Sequence, residues 1–339
     1  MSTNNVGIVG IGIYLPKQVM TAKEIAEQTN GVWTEDAVIE KLGIKQKLIA
    51  NDQEGSQEMS YLAAKDCLEK TGVNPLDIDV ILSVTEEWKE YPLTTSALYV
   101  QGKIGATNAW GIDLQNRCCT TCSALKIAKD MLIADDEINT IMIVGGYRNG
   151  DFVDYQDKTM SMMYNLSAGG GALILRKGYD KNLVLGSHII GDGSLARTAG
   201  CTIGGTVNPI TKQNVDKAYK SLTLMEPQMM KARLNDVSMN NWLTCIDESL
   251  RKSQKTRNDI DYLGILHIKR SGHEHMLQEL SLEPEQSTYL EDYGHIGQID
   301  QILSLYLGLE QGRIKDGNTV CLLAAGIGYV WASTIVRWG

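Results

Sequence analysis

Short apolar runs alternate along this chain with amphipathic stretches of helical period. Runs at Val6–Ile13, Val80–Val84, Ala109–Leu114, Ile141–Val144, Gly171–Leu175 and Val184–Ile190 predict strands, and a second set follows at Tyr262–His267, Ser287–Leu290, Val320–Ala325 and Trp331–Arg337. Helices are predicted between them at Ser56–Thr71, Thr94–Ile104, Cys119–Ala134, Met239–Ser253, Gly272–Leu280 and Gly297–Gln311. This alternation implies a mainly parallel sheet covered on both faces. Residues 191–238, richer in Gly, Thr, Asn and Met, interrupt it as an irregular insertion expected to line a substrate channel.

The pattern repeats. Asp77-Ile-Asp-Val-Ile-Leu82 recurs as Asp259-Ile-Asp-Tyr-Leu-Gly264, and six residues past the second aspartate of each copy stand Thr85 and His267. Cys118 precedes the apolar run at Ile141 by 23 residues, and His295 precedes the run at Val320 by 25. Cys118 and His295 are therefore predicted to occupy equivalent strand-to-helix turns in two related halves, residues 1–176 and 177–339. No low-complexity linker separates the halves, which predicts an extensive interface between stacked sheets sharing central helices.

A cysteine at such a turn carries chemistry. Unpaired N–H groups and the dipole at a helix N-terminus favour an anionic sulfur, which is the nucleophile of acyl transfer. The Cys119–Cys122 spacing lacks the further Cys or His residues that a zinc site requires. Gly7, Gly10 and Gly12 are followed by Pro16 rather than a helix, which excludes a dinucleotide loop. The Ser167–Ala172 run leads into a strand, so its glycines are read as permitting close packing of helix on sheet.

Composition narrows the class. The 339 residues are 43% hydrophobic and 22% charged, ordinary for a globular protein, and a net charge of −9 argues against general nucleic-acid binding. The N-terminal residues lack a secretory signal pattern, no run is long enough to span a membrane, and the seven cysteines suit a reducing cytoplasm.

With these residues in view, the chain resembles the thiolase superfamily, and within it the ketoacyl-ACP synthase III type. The resemblance is carried by Val6–Pro16, by Lys41-Leu-Gly-Ile-Lys-Gln-Lys-Leu-Ile-Ala50, by the D-x5-C turn from Asp113 to Cys118, and by Ala324–Trp331 with Ile335–Trp338. It implies an α/β thiolase-like fold, two duplicated halves stacked as α-β-α-β-α layers. It selects Cys118 over Cys119 as the nucleophile. The family's H-Q-A-N histidine falls on His267-Ile-Lys-Arg270, and the asparagine of Y-G-N-x-x-x-A falls on His295, so Cys-His-Asn becomes Cys118-His267-His295. Ser83-Val-Thr-Glu86-Glu87 is similar to the A-T-E of hydroxymethylglutaryl-CoA synthases, which makes Glu86 a candidate acid or base. His188, His273 and His275 lack motif support and are read as structural or solvent-facing.

The resemblance implies a condensing enzyme that takes an acyl group from acyl-CoA onto Cys118 and passes it to a malonyl- or acyl-thioester. His267 would serve as base or as donor to the second substrate's carbonyl, and His295 would donate one hydrogen bond with a further acid or base duty. Backbone N–H groups of Cys118 and Ile327, within Gly326-Ile-Gly328, would form the oxyanion hole. Trp33, Lys41, Arg148, Lys269 and Arg270 would bind coenzyme A or face an acyl carrier protein. The resemblance implies a homodimer and indicates no metal, flavin or nicotinamide. Other readings are acyl transfer to oxygen, nitrogen or sulfur without a new carbon–carbon bond, an aldol condensation of the hydroxymethylglutaryl-CoA synthase type, and a non-catalytic partner of an active paralogue.

Overall fold

The computed structural model describes residues 5–339; the first four residues, which enter the signal-peptide reading, lie outside the described residues. In chain order the strands are β1 (Val6–Tyr14), β2 (Gln18–Thr21), β3 (Gln46–Ile49), β4 (Val80–Val84), β5 (Trp110–Leu114), β6 (Thr140–Tyr147), β7 (Gly169–Lys177), β8 (Leu183–Gly191), β9 (Ala199–Cys201), β10 (Leu222–Leu224), β11 (Tyr262–Ile265), β12 (Thr319–Gly326) and β13 (Val330–Arg337). Nine of them follow one another in the order β11-β12-β13-β8-β1-β7-β6-β4-β5, while β2–β3 and β9–β10 are separate two-stranded ribbons.

The sheet has an internal copy. In the first half β4 runs parallel to β5 and β6, then β6, β7 and β1 are antiparallel; in the second, β11 runs parallel to β12, then β12, β13 and β8 are antiparallel. The halves meet where β1 touches β8 at the single register pair Gly7–Leu183. The Thr120–Ala134 and Asp300–Glu310 helices lie between the half-sheets, in contact with strands of both. The Ser56–Thr71 helix covers β1, β6 and β7 from outside, and the Pro227–Lys252 helix covers β8 and β13. The result is the expected α-β-α-β-α layering, but five of the eight strand pairings are antiparallel, so the mainly parallel sheet expected from the alternation is corrected to a mixed one.

Local chemistry explains the strands. β4 and β6 are buried at every position because both faces are covered, so they read as continuous apolar runs rather than alternating ones. The Ser167–Ala172 glycines serve the close packing expected of them. A Cβ on Gly170 would lie 2.3 Å from the carbonyl oxygen of Met59 on the outer helix.

Several predicted boundaries move. Ser287–Leu290 is not a strand: Ser287 makes only an isolated bridge to Leu263, because the Ser287 hydroxyl donates to the Leu263 carbonyl and Tyr262 donates its hydroxyl to Thr288. The 96–104 helix starts at Ser96, where the Asp113 carboxylate accepts from the backbone N–H groups of Ser96 (3.0 Å) and Ala97 (2.9 Å). The helix expected from Met239 begins at Pro227, so the 191–238 insertion is irregular only in part. Its ribbon β9–β10 is short and half-buried, and the first turns of that helix are largely exposed and lack an apolar period to reveal them. Among the described residues no helix is long and apolar enough to cross a membrane.

Candidate active site

The duplicated topology brings two turns together. The turn after β5 carries Cys118, and the equivalent turn in the second half carries His295. The sulfur of Cys118 lies 3.2 Å from His295 Nε2, and the opposite ring nitrogen, Nδ1, donates to Asp300 at 2.5 Å. Asp300 is wholly buried at the start of its helix. It also accepts from the backbone N–H groups of Ile296 and His267, both at 2.7 Å. A buried carboxylate with three donors is rigidly placed. Burial opposes charge on His295, but the Asp300 carboxylate and the Cys118 sulfur outweigh it and hold its pKa well above the usual histidine value. The three residues form a relay of sulfur, imidazole and carboxylate.

The remaining sequence candidates divide sharply. His267 does not contact Cys118 by hydrogen bond. Its Nδ1 accepts from the Asn165 amide at 2.9 Å and its Nε2 donates to the Gly43 carbonyl at 3.2 Å, so both ring nitrogens are engaged within the protein. Burial pulls its pKa down to about 4, which keeps it neutral. The ring expected to act as base or carbonyl donor thus has both nitrogens turned to protein partners in this structure. Glu86 is buried, with its carboxylate bound to Arg117 at 2.9 Å. Burial raises the Glu86 pKa in spite of that partner.

The Cys118 turn is tightly tied. Arg117 adopts a left-handed φ of 52°, its carbonyl accepting from the Thr120 N–H (2.9 Å) and hydroxyl (2.5 Å). Thr121 links this turn to the other by donating to the Gln298 carbonyl at 2.5 Å. Gly326 backs against the elbow: a Cβ there would lie 2.7 Å from Arg117 Cβ and 3.0 Å from the Cys118 nitrogen. Neither the Cys118 nor the Ile327 N–H donates to a protein acceptor among the described residues. Of the neighbouring thiols, Cys119 is buried with its sulfur on the Val330 carbonyl, and burial pushes Cys122 up to about 12. Cys118 keeps partial exposure. Among the described residues no cluster of three or more His, Cys, Asp or Glu is placed to hold a metal.

The five residues assigned to coenzyme A behave differently. Trp33 is partly buried, edge-on to Tyr164 at 6.0 Å. Lys41 and Lys269 are exposed. Arg148, in contrast, is committed to Asp151 (2.8 Å) and to the carbonyls of Asn51 and Glu54, and Arg270 to Glu291 and the Tyr289 ring. Those two guanidinium groups are turned to intrachain partners.

Sequence reasoning passed over Asp300, Arg117, Asn165 and Lys47. Asp300 had a signal, a lone carboxylate inside an apolar segment five residues past a site histidine. Lys47 is fully buried, donating to the carbonyls of Tyr164 (2.9 Å) and Leu166 (2.7 Å), and burial lowers its pKa to about 7. It clamps the loop whose Asn165 carbonyl accepts from the His295 N–H at 2.8 Å.

Comparison with known proteins agrees with this architecture. Residues 112–193 match the family model described as 3-oxoacyl-[acyl-carrier-protein] synthase III, and residues 250–338 match its C-terminal companion, together half of the chain. The chain belongs to the ketoacyl-ACP synthase III-like branch of the thiolase superfamily. It is 24% identical to the β-ketoacyl-[acyl-carrier-protein] synthase III of Campylobacter fetus, covering 98% of each chain. It is 26% identical to that of Agrobacterium fabrum, covering 97% of this chain and 98% of the relative. The 3-oxoacyl-(acyl carrier protein) synthase III structure from Pseudomonas aeruginosa superimposes with a TM-score of 0.84 at 20% identity, covering 98% of each chain. The Aquifex aeolicus synthase III gives 0.83 at 20%, covering 98% of this chain and 100% of that one. Synthase III enzymes are acyltransferases, and at that level the branch is a transferase branch.

Proposed function

We propose that this chain is an acyl-thioester-dependent transferase in which Cys118 carries the acyl group and His295, backed by Asp300, handles the protons. The observation that carries this reading is the continuous contact from the Cys118 sulfur through His295 to Asp300. The imidazolium beside the sulfur stabilises a thiolate, which attacks the thioester carbonyl; the N–H groups of Cys118 and Ile327 receive the oxyanion; the departing thiol takes its proton from His295. His295 is then neutral and able to accept a proton from the group that attacks the acyl-enzyme.

The acceptor follows from which donors are free. Decarboxylative condensation needs donors for the second substrate's carbonyl as a carbanion forms. Here both His267 nitrogens are occupied and His295 is drawn to the cysteine. The geometry favours transfer to an oxygen, nitrogen or sulfur nucleophile deprotonated by His295. Carbon–carbon condensation is the second reading, supported by the synthase III relatives and by the buried carboxyl of Glu86, whose raised pKa suits proton abstraction.

Acyl-CoA, or an acyl carrier protein, is the proposed donor, with Trp33, Lys41 and Lys269 near the entrance, and no resident cofactor takes part. The division into halves at residues 1–176 and 177–339 and a homodimer in the cytoplasm complete the proposal. The edge strand β5, which leaves Trp110 and Ile112 exposed, supports the dimer.

Intact-mass measurement after incubation with acyl-CoAs tests the central claim: an acyl adduct is expected on the wild type and none on Cys118→Ala. Adding malonyl-thioesters and measuring carbon dioxide separates the two acceptor classes, and release at the turnover rate would favour condensation. Absence of an adduct with every acyl-CoA would favour a non-catalytic partner.

A further inference from the structure

Arg117 precedes the nucleophile, and the fold invests in it. A non-glycine residue in the left-handed region is strained by about 1 kcal/mol or more, yet the backbone there is held by Thr120 and backed by Gly326. The side chain therefore leaves the elbow in a set direction. Its guanidinium binds the Glu86 carboxylate and lies within electrostatic range of Cys118, Glu87 and Cys201 of β9.

Its ion pair is asymmetric. The Glu86 side chain is 5% exposed and the Arg117 side chain 47% exposed. Among the described residues only Nη1 of the guanidinium has a protein acceptor, the Glu86 carboxylate. The other N–H groups of the fork are unused. Glu86 is the anchor and the guanidinium is the group presented.

We propose that Arg117 selects acyl donors whose chain ends in a carboxylate, the class of short dicarboxylic acyl thioesters. The inference rests on Cys118 being the acyl-carrying sulfur. A planar fork with free parallel N–H groups matches a carboxylate in two-point contact. A neutral chain docked there would strip water from the cation without replacing it. Arg117 adjoins the nucleophile in the chain, and the Cys118 sulfur acts electrostatically on its guanidinium, which sets that cation in the neighbourhood of a short chain carried on Cys118. In the acylation step the Cys118 sulfur bonds to the carbonyl carbon, the donor's carbon–sulfur bond breaks, and the departing thiolate takes a proton from His295. The far carboxylate is unchanged throughout.

The test is the rate of Cys118 acylation in the full chain, followed by intact mass, with glutaryl-CoA against valeryl-CoA, which share a chain length. In the wild type the glutaryl rate is expected to exceed the valeryl rate by about tenfold to a hundredfold, the worth of a hydrogen bond to a charged group. Arg117→Asn, a residue that tolerates left-handed backbone, is expected to collapse that ratio to near one. Arg117→Lys, which keeps the charge without the fork, should give an intermediate ratio and serves if Arg117→Asn does not fold. Expressing the result as a ratio cancels losses common to both donors. A ratio unchanged in whichever variant folds, or a wild type that prefers valeryl-CoA, overturns the selection while leaving acyl-Cys118 standing. No adduct from any acyl-CoA overturns both.

Discussion

The two turns that meet at the site are topological copies with opposite polar habits. Around His295, the hydrogen-bonding groups are saturated: Asn165 and Ser167 hold its backbone, Asp300 holds its ring, and Asp300 in turn binds Ile296 and His267. Around Cys118, the N–H groups of Cys118 and Ile327 are unspent, the sulfur is partly exposed, and the arginine beside it keeps free donors. One turn is a finished support and the other is left open for a substrate. Duplication supplied two equivalent positions, and hydrogen bonding set them apart in the way the proposed base and nucleophile require.

The sharpest break of that comparison is Cys118→Ala, for which complete loss of acyl adduct is expected with an unchanged melting temperature. Asp300→Asn attacks the support. An amide cannot accept from all three donors, so His295 loses its partner, and acylation should fall by about a hundredfold to a thousandfold, the scale of losing preorganised electrostatics. Stability should fall by about 3–5 kcal/mol in chemical denaturation, as when a buried pair is broken. Because the His295 pKa is raised on folding, its stabilisation is full below about pH 6.5 and is lost as pH rises through the folded value. Asp300→Asn should abolish that alkaline decline.

Gly326→Ala tests the open turn. The new methyl would press on the Arg117 side chain and the Cys118 nitrogen, displacing the proposed oxyanion donors, so acylation should drop by about a hundredfold in stopped-reaction mass measurements. A cost of about 1–3 kcal/mol in stability is expected from overpacking.

The smallest effect on chemistry is expected at His267. Its pKa of about 4 lies below the unfolded value, so its contribution to stability is full above about pH 6.5 and is lost as pH falls toward 4, by about 3 kcal/mol. His273, lowered by burial to about 4, adds to the same slope. Urea midpoints at pH 7 and pH 5 should differ less in His267→Gln than in the wild type. The two site histidines thus respond to acid in opposite senses, and finding the same sense for both would dissolve the contrast between them.

How much of this was legible beforehand follows from distance along the chain. Apolar period and the repeated Asp-Ile-Asp segment located most of the sheet strands and all the helices that cover them, because burial of one face imposes a local pattern. The duplication in the sequence also paired Cys118 with His295, since equivalent turns in equivalent halves meet. Ser287–Leu290 failed as a strand because its hydroxyls bond back to β11, a contact invisible in an apolar count.

The roles of the two histidines were decided only by the tertiary structure. Motif position favoured His267 as the base, but a ring's duty depends on what its two nitrogens touch. Asn165 and Gly43, distant in sequence from His267, occupy both of them, while Asp300 and Cys118 claim His295. Residue type and spacing alone placed a thiol, two imidazoles and the Glu86 carboxylate at one end of a duplicated sheet. Which of them touch one another, and which are turned to backbone and amide partners, was set by hydrogen-bond directions that exist only once the halves have closed together.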